Sequence, residues 1–172
     1  TYEIESWMNV DEELKKAVDV QKYATTHVKT NWLKLFMDGT VEGGTGFVDP
    51  LYPDGHQGLA NWTEEELTDI TRKTNAKGLS MHIHTMGNKA VNYVVSAYAN
   101  AGKDELRNTL VHVRNVNAED YKRMADHNMY AVSGMLWHHC PSFAADYIRE
   151  HGLAPVGQEA KSYPMKSYFD NG

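Results

Sequence analysis

Lys34, His82, His84 and His112 are the residues whose types and spacing could do chemistry. His82 and His84 are two apart in Ser80-Met81-His82-Ile83-His84-Thr85-Met86-Gly87-Asn88. In an extended segment both imidazoles share one face with Ser80, and Leu79, Met81 and Ile83 share the other. Paired imidazoles at the end of an apolar strand, followed by glycine and a helical pattern, fit metal ligands at the C-terminal end of a βα unit. Hydrogen bonding or plain packing is the alternative. Lys34 lies inside an apolar run, where an ammonium needs an anion, a metal, a cofactor or a route to solvent. Imidazoles suit zinc or another borderline divalent cation. A plain ammonium is a poor ligand. A lysine that has added carbon dioxide is a carbamate anion able to bridge two cations, and burial favours it by lowering the lysine pKa.

The strands must position these groups. Residues 31–38 read as a buried strand ended by Gly39, with Leu33, Leu35 and Met37 on one side and Trp32, Lys34, Phe36 and Asp38 on the other. Residues 80–85 form the second strand and 108–113 the third, with Leu110, His112 and Arg114 on one face and Val111 and Val113 opposite. Residues 129–136 form a fourth, followed by the loop Trp137-His138-His139-Cys140-Pro141. Helical spacing covers 11–24 with Asp11 as cap, 63–76 with a Thr63/Glu66 capping box, 88–101, 117–126 capped by Asn117, 142–151 and 162–171. Strict alternation implies a parallel sheet with right-handed crossovers. Lys34, His82, His84 and His112 then fall at the rim that carries chemistry in such arrays. The turn-rich residues 39–62 are long for a connection and read as a lid, a binding loop or a floppy surface loop.

The totals set bounds. A chain of 172 residues with 41% hydrophobic and 23% charged residues is long enough for one domain with a real core. A formal net charge of −6 argues against a nucleic-acid surface or a basic membrane patch. No apolar run is long enough to span a membrane. One cysteine, Cys140, rules out an internal disulfide framework, whereas nine histidines favour imidazole chemistry. No signal or transit pattern is visible from Thr1, so the expected location is cytoplasmic.

Three segments then carry a resemblance. Leu33-Lys34-Leu35-Phe36-Met37-Asp38-Gly39, His82-Ile83-His84-Thr85-Met86-Gly87-Asn88-Lys89-Ala90 and Val111-His112 resemble successive strand motifs of the amidohydrolase superfamily, in its Lys-Leu-Phe-x-Asp-Gly branch of metal-dependent hydrolases. Tyr163-Pro164-Met165-Lys166-Ser167 fits the same branch. The resemblance implies an α/β fold, a partial (β/α)₈ TIM barrel with roughly strands four to seven and flanking helices. It implies Lys34, often carbamylated in this superfamily, His84 and His112 as metal ligands, with His82 deeper on the same face. The cofactor would be zinc or another divalent metal, one or two ions in the parent protein or none in this segment. The activity would be hydrolysis of amide or other C–N bonds in a small molecule by metal-activated water.

Departures accompany the resemblance. Gly87-Asn88 stands where the family has Gly-Asp. The first-strand His-x-His and the eighth-strand aspartate have no counterpart, and a whole barrel takes about 250 residues. Residues 1–172 are therefore expected to be a single partial barrel domain that lacks its first and last strands, with the catalytic aspartate outside the chain. Open sheet edges should pair with the missing part of the polypeptide or with a second copy. The isolated chain is expected to be inactive. The alternative is a non-catalytic folded fragment or interaction module that binds no metal. Further substrate or supporting positions are His82, Asp38, Arg114, His138 and His139. Asp38 could serve the site or cap a turn, and Arg114 could meet an acidic substrate or a helix carboxylate.

Overall fold

The computed structural model describes residues 1–134, 136 and 163–172. Five parallel strands lie in chain order: β1 (Tyr2–Glu3), β2 (Trp32–Phe36), β3 (Ser80–Thr85), β4 (Thr109–His112) and β5 (Tyr130–Val132). Between them run α1 (Val10–Asp19) with a 3₁₀ turn (Val20–Tyr23), α2 (Glu64–Ala76), α3 (Asn88–Ala101) and α4 (Ala118–Asp126), and α5 (Met165–Asp170) follows. Sequential order without a reversal is the arrangement of a barrel arc, because right-handed crossovers then place every helix on one face. A doubly wound sheet would reverse its order part-way. β1 is the strand the sequence pattern misses: two residues are too few to show alternation. Among the described residues, no helix is long and apolar enough to cross a membrane.

Burial follows the strand period. Leu33, Leu35, Met81, Ile83 and Leu110 are fully enclosed against Leu67, Ile70, Val91, Val94, Val95 and Tyr98 of α2 and α3. The opposite face is more open, with Phe36 39% exposed and Tyr130 and Val132 at least as open. Helix starts are mostly as the sequence indicates. Thr63 and Glu66 form the reciprocal capping box. α1 differs: Asn9, not Asp11, accepts the Glu12 N–H. Asn117 starts α4 but does not cap it with its side chain, which is engaged elsewhere.

The 39–62 connection is packed rather than floppy. Val41, Val48 and Tyr52 form a small buried cluster with Met86, and Phe47 enters the main core. Close backbone approach holds it there: a Cβ on Gly87 would sit 2.0 Å from the Phe47 carbonyl oxygen, and one on Gly58 1.9 Å from that of Gly46. At the far, N-terminal end of the sheet, Asn75 and Asn108 exchange side-chain hydrogen bonds of 3.0 and 2.8 Å. Asn108 Oδ1 also accepts the Met81 N–H of β3 at 3.0 Å, so two buried amides tie α2, β3 and β4 together.

Candidate metal centre

β2, β3 and β4 bring the predicted residues to one rim. Lys34 pairs in register with His82, and Phe36 pairs with His84. Alternation therefore puts Lys34, Phe36, His82 and His84 on the open face. His84 and His112 meet edge to face with ring centroids 4.7 Å apart. Lys34 Nζ lies 4.1 Å from the Phe36 ring centroid, and that ring is 5.0 Å from His84. The Phe36 ring thus lies against both the lysine and the His84 imidazole. Its place on this face was legible in the alternation, but its role was not.

His112 reaches the site by a route that simple alternation does not allow. Leu110 points into the core, so a regular strand would send His112 the same way. The backbone instead turns at φ +76° for His112 and +43° for Val113. Left-handed torsions are unfavourable for such residues, above all for β-branched valine. Val113 N–H donates to Thr85 O at 2.9 Å and Asn115 N–H to Met86 O at 3.1 Å, which hold the turned segment against β3. The expected shared face of Leu110, His112 and Arg114 is therefore corrected: the turn swings the imidazole to His84 and leaves Leu110 behind.

Asp38 organises the turn beneath the rings. Its Oδ1 accepts Met86 N–H at 2.9 Å, and its Oδ2 accepts Gly87 N–H at 2.8 Å and Phe47 N–H at 3.0 Å. The carboxylate sits at the N-terminal entrance of α3, where free N–H groups and the helix dipole favour an anion. His84 Nδ1 lies 3.3 Å from Asp38 Oδ1, close enough for an ion pair but without hydrogen-bond geometry. Asn88 accepts Asp49 N–H and donates to both Asp49 O and Asn117 Oδ1. A carboxylate could not make those two donations, so asparagine suits this position in place of the family's aspartate.

Burial sets the protonation of the donors. Desolvation lowers Lys34 from the ordinary lysine value to about 8. It lowers His112 to about 4, helped by the nearby His84, Lys34 and His82. Desolvation and then Lys34 lower His82 as well. Neutral imidazoles are the form that binds cations. Because the unfolded His112 takes up its proton first, the metal-free chain should lose stability as pH falls from about 6.5 to about 4. Urea midpoints measured across that window should drop, and His112→Gln should flatten the decline. An unchanged slope in the variant would refute the assignment.

The site fits a cation in its donor set. His82 Nδ1 and His84 Nδ1 are buried without hydrogen-bond partners. Among the described residues, no group of three or more His, Cys, Asp or Glu side chains could hold a metal. Beside the His84/His112 pair, Lys34 and His82 are the basic side chains that β2 and β3 carry on the same face. His138 and His139, the loop that contains them, the helix expected over 142–151 and Cys140 lie outside the described residues. Arg114 is buried, and among the described residues the carboxylate that it pairs with is Glu42 in the 39–62 connection, not a helix residue.

Residues 4–165 match the amidohydrolase family. The chain belongs to that family. The resemblance read from its strand motifs is confirmed over nearly its whole length. The chain is 25% identical over 144 residues to the exoenzymes regulatory protein AepA of Pectobacterium carotovorum subsp. carotovorum, covering 81% of this chain and 30% of AepA. Its fold is similar to that of an uncharacterized metal-dependent hydrolase from Pyrococcus furiosus, with a TM-score of 0.72 at 16% identity, over 91% of this chain and 33% of that one. A second uncharacterized metal-dependent hydrolase, from Pyrococcus horikoshii OT3, gives 0.70 at 20% identity, over 91% and 32%. The chain thus spans about a third of the length of the relatives it matches.

Proposed function

We propose that this amidohydrolase segment supplies the Lys34, His84 and His112 donors of a metal-dependent hydrolase acting on amide or other C–N bonds in small molecules. The observation that carries the reading is the meeting of the two imidazoles at the rim, achieved at the expense of a strained backbone. A divalent metal such as zinc, when bound, would lower the pKa of a water and polarise the scissile carbonyl.

The chain's own residues prepare that site. Burial lowers His112 to about 4, so its imidazole is neutral at pH 7, and burial shifts His82 in the same direction. A lysine brought down to about 8 has an appreciable neutral fraction near neutrality. Its unprotonated Nζ adds carbon dioxide and gives up a proton, forming a carbamate that serves as an oxygen donor. Asp38 orients the turn that carries His84, and Phe36 keeps the space beside Lys34 apolar.

The reading extends to the rest of the barrel. Among the described residues the sheet is unpaired at β1 and β5, and these edges take up further strands of a longer polypeptide or a second copy, while the 172-residue chain alone turns over no amide. The test is amide hydrolysis by a full-length barrel containing this segment, stripped with chelator and reloaded with zinc. Activity that depends on zinc and is lost in Lys34→Met supports the reading. Activity that survives the chelator, or the lysine replacement, overturns it.

A further inference from the structure

His56 is placed where a neutral imidazole cannot satisfy its surroundings. Its Nδ1 meets Asp54 Oδ1, and its Nε2 lies 2.7 Å from the Gly44 carbonyl oxygen. A carboxylate and a carbonyl only accept, so both ring nitrogens must donate, and only the imidazolium has two N–H groups. The Tyr52 ring stacks on the imidazole, with centroids 4.4 Å apart and planes 10° from parallel, and an aromatic face attracts a cation. Tyr52 is itself fixed: it is buried, and its hydroxyl donates to Gly46 O at 3.0 Å.

These contacts join two turns of the 39–62 connection. His56 rides on the 52–56 turn, closed by Tyr52 N–H to His56 O and Gly55 N–H to Tyr52 O, both at 2.9 Å. Gly44 ends the 41–44 turn, closed by its N–H to Val41 O at 3.1 Å, with Gly44 at φ +66°. The base of that turn is held by Thr45 and Gly46 N–H on Thr40 O, each at 2.9 Å. Among the described residues, two side chains from elsewhere make polar contact with its tip: His56 at Gly44, and Arg114 at Glu42, 3.6 Å apart. Arg114 follows His112 by two residues, so the tip lies between the connection and the segment that aims the rim imidazole.

We propose that His56 is a pH-operated latch for the 41–44 tip. The imidazolium fastens Gly44 to the 52–56 turn. When one proton leaves, the remaining N–H stays with the carboxylate, the stronger acceptor. Nε2 and the Gly44 oxygen are then two acceptors face to face, and the tip is released. Asp54 and Tyr52 are the titratable side chains that meet the ring. The bond to His56 holds the Asp54 carboxyl below its ordinary value, and burial holds the Tyr52 hydroxyl well above its own, so neither changes charge near neutrality. The Gly44 carbonyl, and then Asp54, raise His56 above its ordinary 6.5. With the folded value raised, the latch is fully closed below 6.5 and lost as pH climbs through the folded value. The proposal does not depend on a metal at the rim.

The test is an NMR titration of the zinc-free 172-residue chain across neutral pH. The His56 ring signal should titrate with a midpoint above 6.5, and the Gly43, Gly44 and Thr45 amide signals should follow it with the same midpoint. Nitrogen relaxation should show the tip gaining motion on the alkaline side. Asp54→Asn should lower the midpoint, and His56→Gln should abolish the pH dependence of the tip amides. A ring midpoint at or below 6.5, tip amides that ignore the ring, or tip amides that still titrate in His56→Gln overturns the proposal. If a variant does not fold, the wild-type ring and amide titrations decide alone.

Discussion

Replacing Asp38 by alanine is expected to destabilise the fold by about 3–5 kcal/mol, since three buried N–H groups each lose their acceptor at about 1–3 kcal/mol apiece. Phe47, Met86 and Gly87 are the donors left bare. They lie on two separate stretches of chain, so one carboxylate fastens the 39–62 connection to the start of α3. Asp38→Asn keeps the shape but turns one acceptor into a donor, and it should fall between wild type and alanine. Equilibrium urea unfolding with the slope unchanged measures both. A loss below about 1 kcal/mol for the alanine variant would mean that water or the helix itself satisfies these amides.

The second large effect concerns the metal. His84→Ala and His112→Ala should each weaken zinc binding by more than about 100-fold, because removing a ligand should exceed the roughly 10–100-fold cost of removing an outer partner. His82→Ala should cost no more than about tenfold, since this residue lies two register pairs below His84. Calorimetric titration of each variant supplies the numbers. Equal losses at positions 82, 84 and 112 would indicate a generic histidine cluster rather than an ordered donor set.

Much of this was visible in the residues. The apolar runs around Lys34, His84 and Leu110 are long enough to read as strands, and their common polarity at one end marks a rim. His84 and His112 could be paired because each closes such a run. The face of His112 could not be read correctly, because alternation assumes extended torsions and the chain departs from them at that residue. The packing of the 39–62 connection depends on close approaches between distant segments, such as Gly87 against Phe47, which no local pattern encodes. Asp38 was legible as a candidate, but its three donors come from positions 47, 86 and 87 and appear only in the fold. The Glu42–Arg114 pair is hidden for the same reason.

The amide pair at the bottom of the sheet has a consequence for the top. Asn108 grips β3 at Met81, three residues below His84, or about 10 Å along a strand. That grip sets how far β3 and β4 can slide past one another, so the relative height of the two imidazoles is fixed from below. A substitution at Asn75 or Asn108 should therefore blunt cation affinity while touching no donor, acting as a loosened hinge pin does on a distant latch.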